Sequence, residues 1–173
     1  MTLTLSRGLY VLGFLVCATL IGVALYFEHT EGLEPCPLCI VQRVMVILIG
    51  AVCLIAAVHN PRSAWRRLYE LAIIIFSVAG AAVAGRHVWI QHLPEDQIPE
   101  CGPGLEFMLK RFPLQKVIEK VLSGSGECAE VVWTWWGLSI PGWTLVIFTG
   151  FAIVGFVLLL SRRRFSWGRR RRR

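Results

Sequence analysis

Apolar residues do not alternate along this chain; they gather in four long blocks, Leu9–Phe27, Ile40–Val58, Leu68–Ile90 and Trp143–Leu160. Each block is close to the ~20 residues that carry a helix across a hydrocarbon core. Lipid offers no water to pair with backbone N–H and C=O groups, so segments this apolar are expected to be helical. A fifth pattern lies between the third and fourth blocks, in LQKVIEKVL. There Leu114, Val117, Ile118, Val121 and Leu122 recur at the spacing of one helix face, entered by Pro113 at a favoured first-turn position. With no soluble domain to bury that face, the short helix is expected on the outer membrane surface. The predicted fold is an all-α membrane protein: one domain over residues 1–173, a four-transmembrane-helix bundle with a short amphipathic surface helix in its second outward loop.

Composition agrees with the blocks. The chain is 55% apolar, with mean hydropathy +0.62, above the ~45–50% apolar content of soluble domains. The first block is longer than the ~7–15 residues of a signal-peptide core and has no A-x-A site before Glu28 and His29, so it reads as a retained helix. A net charge of +7 would suit nucleic acid, but no nucleic-acid-binding fold accompanies it. The terminal run RRRFSWGRRRRR directly follows a span, where positive charge sets topology and meets anionic lipid.

The arginines sort the loops. Tail 161–173 carries eight, loop 59–67 carries Arg62, Arg66 and Arg67, and Arg7 lies at the N-terminus, whereas ten of the eleven acidic residues fall in loops 28–39 and 91–142. The positive-inside rule makes both termini and loop 59–67 cytoplasmic and turns the two acidic loops outward. Trp89, Trp133, Trp135, Trp136 and Trp143 near the outer boundary, with Trp65 and Trp167 near the inner one, form the expected aromatic belts.

The six cysteines divide on this topology. Cys17 and Cys53 lie within the first and second helices, where a thiol packs as a small apolar group. Cys36, Cys39, Cys101 and Cys128 all lie in outward loops, where an oxidising periplasm lets disulfides persist, and four cysteines allow three connectivities. Cys36-Pro-Leu-Cys39 has the C-x-x-C spacing of thiol–disulfide exchange centres. Cys39 stands where the second helix begins, and the positive end of the helix dipole favours a thiolate there. Arg43 is one turn deeper on the same face. Burying a central arginine costs about 2.5–3.5 kcal/mol on insertion scales, which marks Arg43 as a functional candidate rather than a snorkelling one. A structural zinc site would want two C-x-x-C knuckles, and Cys101 and Cys128 are too far apart in the chain to make the second. Their flanks, PEDQIPECGPG and SGSGECAE, are rich in Gly, Pro and Ser and are expected to be mobile.

The segments EHTEGLEPCPLCIVQR, GRHVWIQHLP, CGPGLEFMLKRFPL, SGECAE and WGLSIPGW, in this order and with four-helix hydropathy, resemble the DsbB family of bacterial inner-membrane disulfide bond formation proteins. The resemblance covers nearly the whole chain. It implies a Cys101–Cys128 disulfide that reoxidises a periplasmic DsbA-like thioredoxin-fold oxidase, whose thiolate attacks Cys101. Electrons then pass to Cys36–Cys39 and on to a bound ubiquinone, or menaquinone as the alternative. Cys39 matches the cysteine that contacts the quinone ring, Arg43 the arginine beside it, and His92 a histidine near the quinone. His29 and His87 carry less of the match, and Arg86 is expected to reach the headgroups. The chain departs from enteric members in GPGLE, which separates Cys101 from Phe107 and Met108. Two other readings stand beside this one: a quinone reductase of the vitamin-K-epoxide-reductase kind, and a non-enzymatic four-span scaffold stapled by disulfides that resist reduction until below about −300 mV.

Overall fold

A computed structural model describes residues 2–30, 32, 35–61, 64–98 and 110–170. Four long helices dominate: α1 (Thr2–Thr30), α2 (Pro37–His59), α3 (Ala64–Gln91) and α5 (Ile140–Arg170), with the short α4 (Leu114–Ser123) before the last. Segments of all four long helices are apolar enough to cross a membrane: Arg7–Thr30, Pro37–His59, Trp65–Gln91 and Ile140–Leu160. Each also leaves large apolar side chains uncovered, with Leu12 57%, Ile47 54%, Ile75 62% and Ile153 58% exposed. Helices apolar on both their packed and unpacked faces are spans rather than the half-polar helices of a soluble domain. The chain is a multi-pass membrane protein.

The helices run further than the apolar blocks because hydropathy falls at the first polar residue while the hydrogen-bond ladder continues through good helix formers such as arginine. At its start α2 gains a turn. Cys36 is the extended N-cap (φ −62°, ψ 160°), Pro37 takes the first helical position, and Ile40 N–H donates to the Cys36 carbonyl at 3.1 Å. Asn60 closes α2 in the left-handed conformation (φ 44°), its N–H on the Ala56 carbonyl.

Helix α2 packs between α1 and α3, and α3 packs against α5. The core gathers Tyr10, Cys17, Val46, Ile49, Cys53, Ile73 and Phe148. Cys17 and Cys53 are 3% and 2% exposed and pack as the small apolar groups expected of them. Gly80 lets α3 and α5 approach, because a Cβ there would stand 2.5 Å from Phe148 Cε1.

Helix α4 does not offer all of its apolar face to lipid. Val117 and Val121 are 4% and 6% exposed, packed with Val41 of α2. Arg86 of α3 donates to the Ser123 carbonyl at 3.3 Å, so this guanidinium caps α4 at its C-terminal end, where a cation is favoured. The chain then passes Gly124 and a 3₁₀ turn (Gly126–Cys128). A small hairpin that periodicity did not predict follows, β1 (Thr134–Trp135) and β2 (Leu138–Ser139), with Thr134 opposite Ser139 and Trp135 opposite Leu138. Its turn has positive φ at Trp136 (51°) and Gly137 (76°), the conformation a two-residue hairpin loop requires. Ser139 donates to Gln91 Oε1 at 2.7 Å and ties the hairpin to α3.

Candidate functional site

The N-terminus of α2 presents two sulfurs. Cys36 is its N-cap and Cys39 completes its first turn, so the free N–H groups of that turn and the helix dipole surround a site that favours an anion. Leu38 between them is fully buried with Ile90 and Cys128 and anchors the C-x-x-C segment to the bundle.

A histidine from α3 lies between the sulfurs. His87 is 2% exposed. Its Nε2 is 3.9 Å from Cys36 Sγ and its Nδ1 is 4.0 Å from Cys39 Sγ. Gln42 Nε2 lies 3.1 Å from the same Nδ1, and Thr144 of α5 donates to Gln42 Oε1 at 2.5 Å. Helix α2 therefore holds the imidazole of α3, and α5 steadies the Gln42 amide behind it.

Cys128 arrives from the other side. The 3₁₀ turn buries it completely, and the Cys36 Sγ, the Cys128 Sγ and a His87 ring nitrogen lie within 4.8 Å of one another. Ser125 Oγ is 3.7 Å from the Cys128 sulfur. The neighbouring Cys36 side chain, and after it burial, push the Cys128 thiol well above the ordinary thiol range. Cys101, its expected partner, lies outside the described residues.

Beyond Cys39 a cavity of about 410 Å³ opens, bordered by α1, α2, α3 and α5 and by the loop before the hairpin. Cys36, Cys39, Gln42, Arg43 and His87 give it a polar wall, and Ile21, Ala24, Val46 and Ile147 are among the apolar residues opposite. Its size is within the ~300–1,000 Å³ of small-molecule sites, and an apolar cleft with a few convergent polar groups is their usual form. Arg43 is held in this wall by an ion pair with Glu28 of α1 and by a 3.3 Å hydrogen bond from Nη2 to the Ala24 carbonyl. Its burial cost is thereby offset in place, without a reach to the headgroups.

The structure thus brings Cys36, Cys39, Cys128 and Arg43 together. It leaves His92 exposed at the end of α3, with Nδ1 2.8 Å from the Val88 carbonyl and no place in the cavity wall. The histidine at the sulfurs is His87. One signal for it was present in the chain. Ile73, Ser77, Gly80, Ala84 and His87 follow steps of four and three on α3, and all five lie on its buried face. His92 falls off that series.

Residues 6–158 match the family described as Disulfide bond formation protein DsbB. The chain belongs to the DsbB family. Its relatives include the Disulfide bond formation protein B of Nitrosococcus oceani, 52% identical over 86% of this chain and 88% of the relative. That of Methylococcus capsulatus is 51% identical over 87% and 92%, and that of Stutzerimonas stutzeri 51% identical over 94% and 99%. Disulfide bond formation is an oxidoreductase activity. In this DsbB family member three thiols gather around one histidine that touches two of them, and Cys36 and Cys39 line the cavity.

Proposed function

We propose that this protein is a quinone-dependent thiol oxidase of the bacterial inner membrane, with both termini cytoplasmic and its cysteine loops periplasmic. It reoxidises a DsbA-like thioredoxin-fold oxidase. The observation that carries the reading is that Cys128 neighbours Cys36, while the C-x-x-C pair lines the cavity that also bears Arg43.

In this mechanism a thiolate of the reduced partner attacks Cys101 of a Cys101–Cys128 disulfide and releases Cys128. The partner's second thiol resolves the mixed disulfide, so the partner leaves oxidised and Cys101 and Cys128 hold two electrons and two protons. Cys128 then attacks Cys36 of a Cys36–Cys39 disulfide, the sulfur it already neighbours. Cys39 departs as a thiolate into the N–H groups and positive dipole of the α2 first turn, the best-stabilised leaving group among these thiols. Cys101 closes back on Cys128 and frees Cys36. His87, in contact with both sulfurs, takes the proton from one thiol as the pair reoxidises. Cys39, Gln42, Arg43 and the apolar wall would hold a ubiquinone, or menaquinone, which when bound would supply the acceptor for the two electrons and two protons given up as Cys36 and Cys39 rejoin. Arg43 supplies a fixed cation where negative charge develops, and the apolar wall excludes water that would screen it.

The test is the rate at which the detergent-solubilised protein reduces added ubiquinone when supplied with reduced DsbA-like partner, against the Cys39→Ser variant. Turnover by the natural chain and none by the variant is the expected result. No turnover by either, with partner and quinone competent in a control, would return the protein to the stapled-scaffold reading.

A further inference from the structure

We propose that the fully reduced protein binds one soft divalent metal ion, of the zinc and cadmium class, between Cys36, Cys128 and His87. The three ligand atoms already lie within 4.8 Å of one another, with Cys36 Sγ 3.9 Å from His87 Nε2. Tetrahedral zinc, with Zn–S of about 2.3 Å and Zn–N of about 2.0–2.1 Å, sets neighbouring ligand atoms roughly 3.5–3.8 Å apart. Side-chain shifts of about 1 Å or less close the site. Spacing argued against zinc by counting cysteines alone; the third ligand comes from α3, which no cysteine spacing reveals.

Two further observations support the site. The first is charge: His87 and Cys128 are 2% and 0% exposed, where an isolated ion would be heavily penalised, but two thiolates and a dication sum to zero. The second is the support behind the histidine. A metal-bound imidazole donates its other ring N–H to a carbonyl or carboxylate that fixes the ring, and the Gln42 amide lies 3.1 Å from His87 Nδ1. Turned over, that amide presents its oxygen to an Nδ1–H and its NH₂ to Thr144 Oγ1. The Thr144 hydroxyl is then free to donate to the Pro141 carbonyl, which it already reaches at 2.9 Å. The Nδ1–H, the Gln42 oxygen, one Gln42 N–H and the Thr144 hydroxyl then each have a partner with the metal bound. Cys39 faces the opposite ring nitrogen at 4.0 Å and is not a ligand, so the fourth position is left to water.

Binding releases two thiol protons and moves no electron. A disulfide at Cys36 or Cys128 removes a ligand, so the oxidised protein does not bind and the metal inhibits the reduced one. The site goes beyond the oxidase reading and does not require a quinone.

The experiment is a titration of the full-length chain, reduced with a phosphine in detergent and then freed of reductant, with Cd²⁺, read by the ultraviolet cadmium–thiolate charge-transfer band. One equivalent should bind. Cys128→Ser and Cys36→Ser should lose the band and Cys39→Ser should keep it, while Gln42→Leu should weaken binding about 10–100-fold and His87→Ala by more. Far-UV circular dichroism confirms that each variant folds. If Cys128→Ser does not, Zn²⁺ protection of the natural chain answers in its place, and Cys36 and Cys128 but not Cys39 should resist maleimide. No band in the natural chain, or a band kept by Cys128→Ser and lost by Cys39→Ser, overturns the assignment.

Discussion

Gly124 links α4 to the turn that carries Cys128, and a single methyl there should separate the two cysteine pairs. The residue has φ 83° and ψ 164°, a region open essentially to glycine, so any L side chain costs about 1–3 kcal/mol in backbone strain. A Cβ would also stand 2.3 Å from Ile90 Cδ1, where ordinary contact begins at 3.4 Å, so a displacement of about 1 Å is needed. Ile90 is fully buried in the cluster that holds Cys36, Leu38 and Cys128 and has little room to give. The turn should therefore move, taking Cys128 off Cys36. Misplacement of reacting groups by about 1 Å can slow a step ~100-fold. In a Cys39→Ala background that keeps its Cys101–Cys128 disulfide, the Cys36 thiol attacks Cys128 and releases Cys101 as a thiol, and rapid quenching with an alkylating agent and non-reducing peptide mapping measure the rate at which that Cys36–Cys128 bridge forms. Gly124→Ala should lower it about 100-fold and lower the melting temperature by roughly 2–10 °C. An unchanged bridging rate together with an unchanged melting temperature would refute the reasoning.

Two other consequences can be measured. Because the Cys36 side chain and burial raise the Cys128 thiol, its thiolate, the form that alkylates, should appear only above the ordinary thiol value of about 8.5. The reduced fold should lose stability as pH climbs from that value toward the folded one. Cys36→Ala should draw the alkylation midpoint back down, and an ordinary midpoint in the natural chain would remove the inferred contact. Arg43→Met should slow quinone reduction by about 100-fold while sparing the stoichiometric burst of partner oxidation seen without quinone, since the Arg43 guanidinium is held by Glu28 and the Ala24 carbonyl rather than by Cys36 or Cys128. A burst lost in proportion would instead make Arg43 part of the thiol relay.

Much of this protein is readable one residue at a time. Four apolar blocks specify four helices because lipid permits no other pairing of the backbone. Pro37 and Cys39 place a C-x-x-C pair at a helix mouth for local reasons, and Arg43 follows at one helical turn. Cys17 and Cys53 were legible as packing because a thiol inside an apolar run has no polar partner within reach. What a single segment does not reveal is how it packs. His92 and His87 differ little by composition, and both stand near the end of α3. Only the phase of that helix against its neighbours distinguishes them, and phase becomes visible once Ile73, Ser77, Gly80 and Ala84 are known to be buried. Helix α4 was read as meeting the membrane because its partner, Val41, lies in another block and reveals nothing of its packing from its own neighbours.

The sequence by itself therefore determined the number of spans, the division of cysteines and the family, since each depends on hydropathy or on spacing within one segment. Tertiary structure decided that Cys128 neighbours Cys36, that Gln42, itself held by Thr144, meets His87, and that Glu28 holds Arg43 against the cavity. Each of these contacts joins residues far apart in the chain. Their partners are set by how helices of nearly uniform apolarity rotate against one another, and packing rather than polarity fixes that rotation.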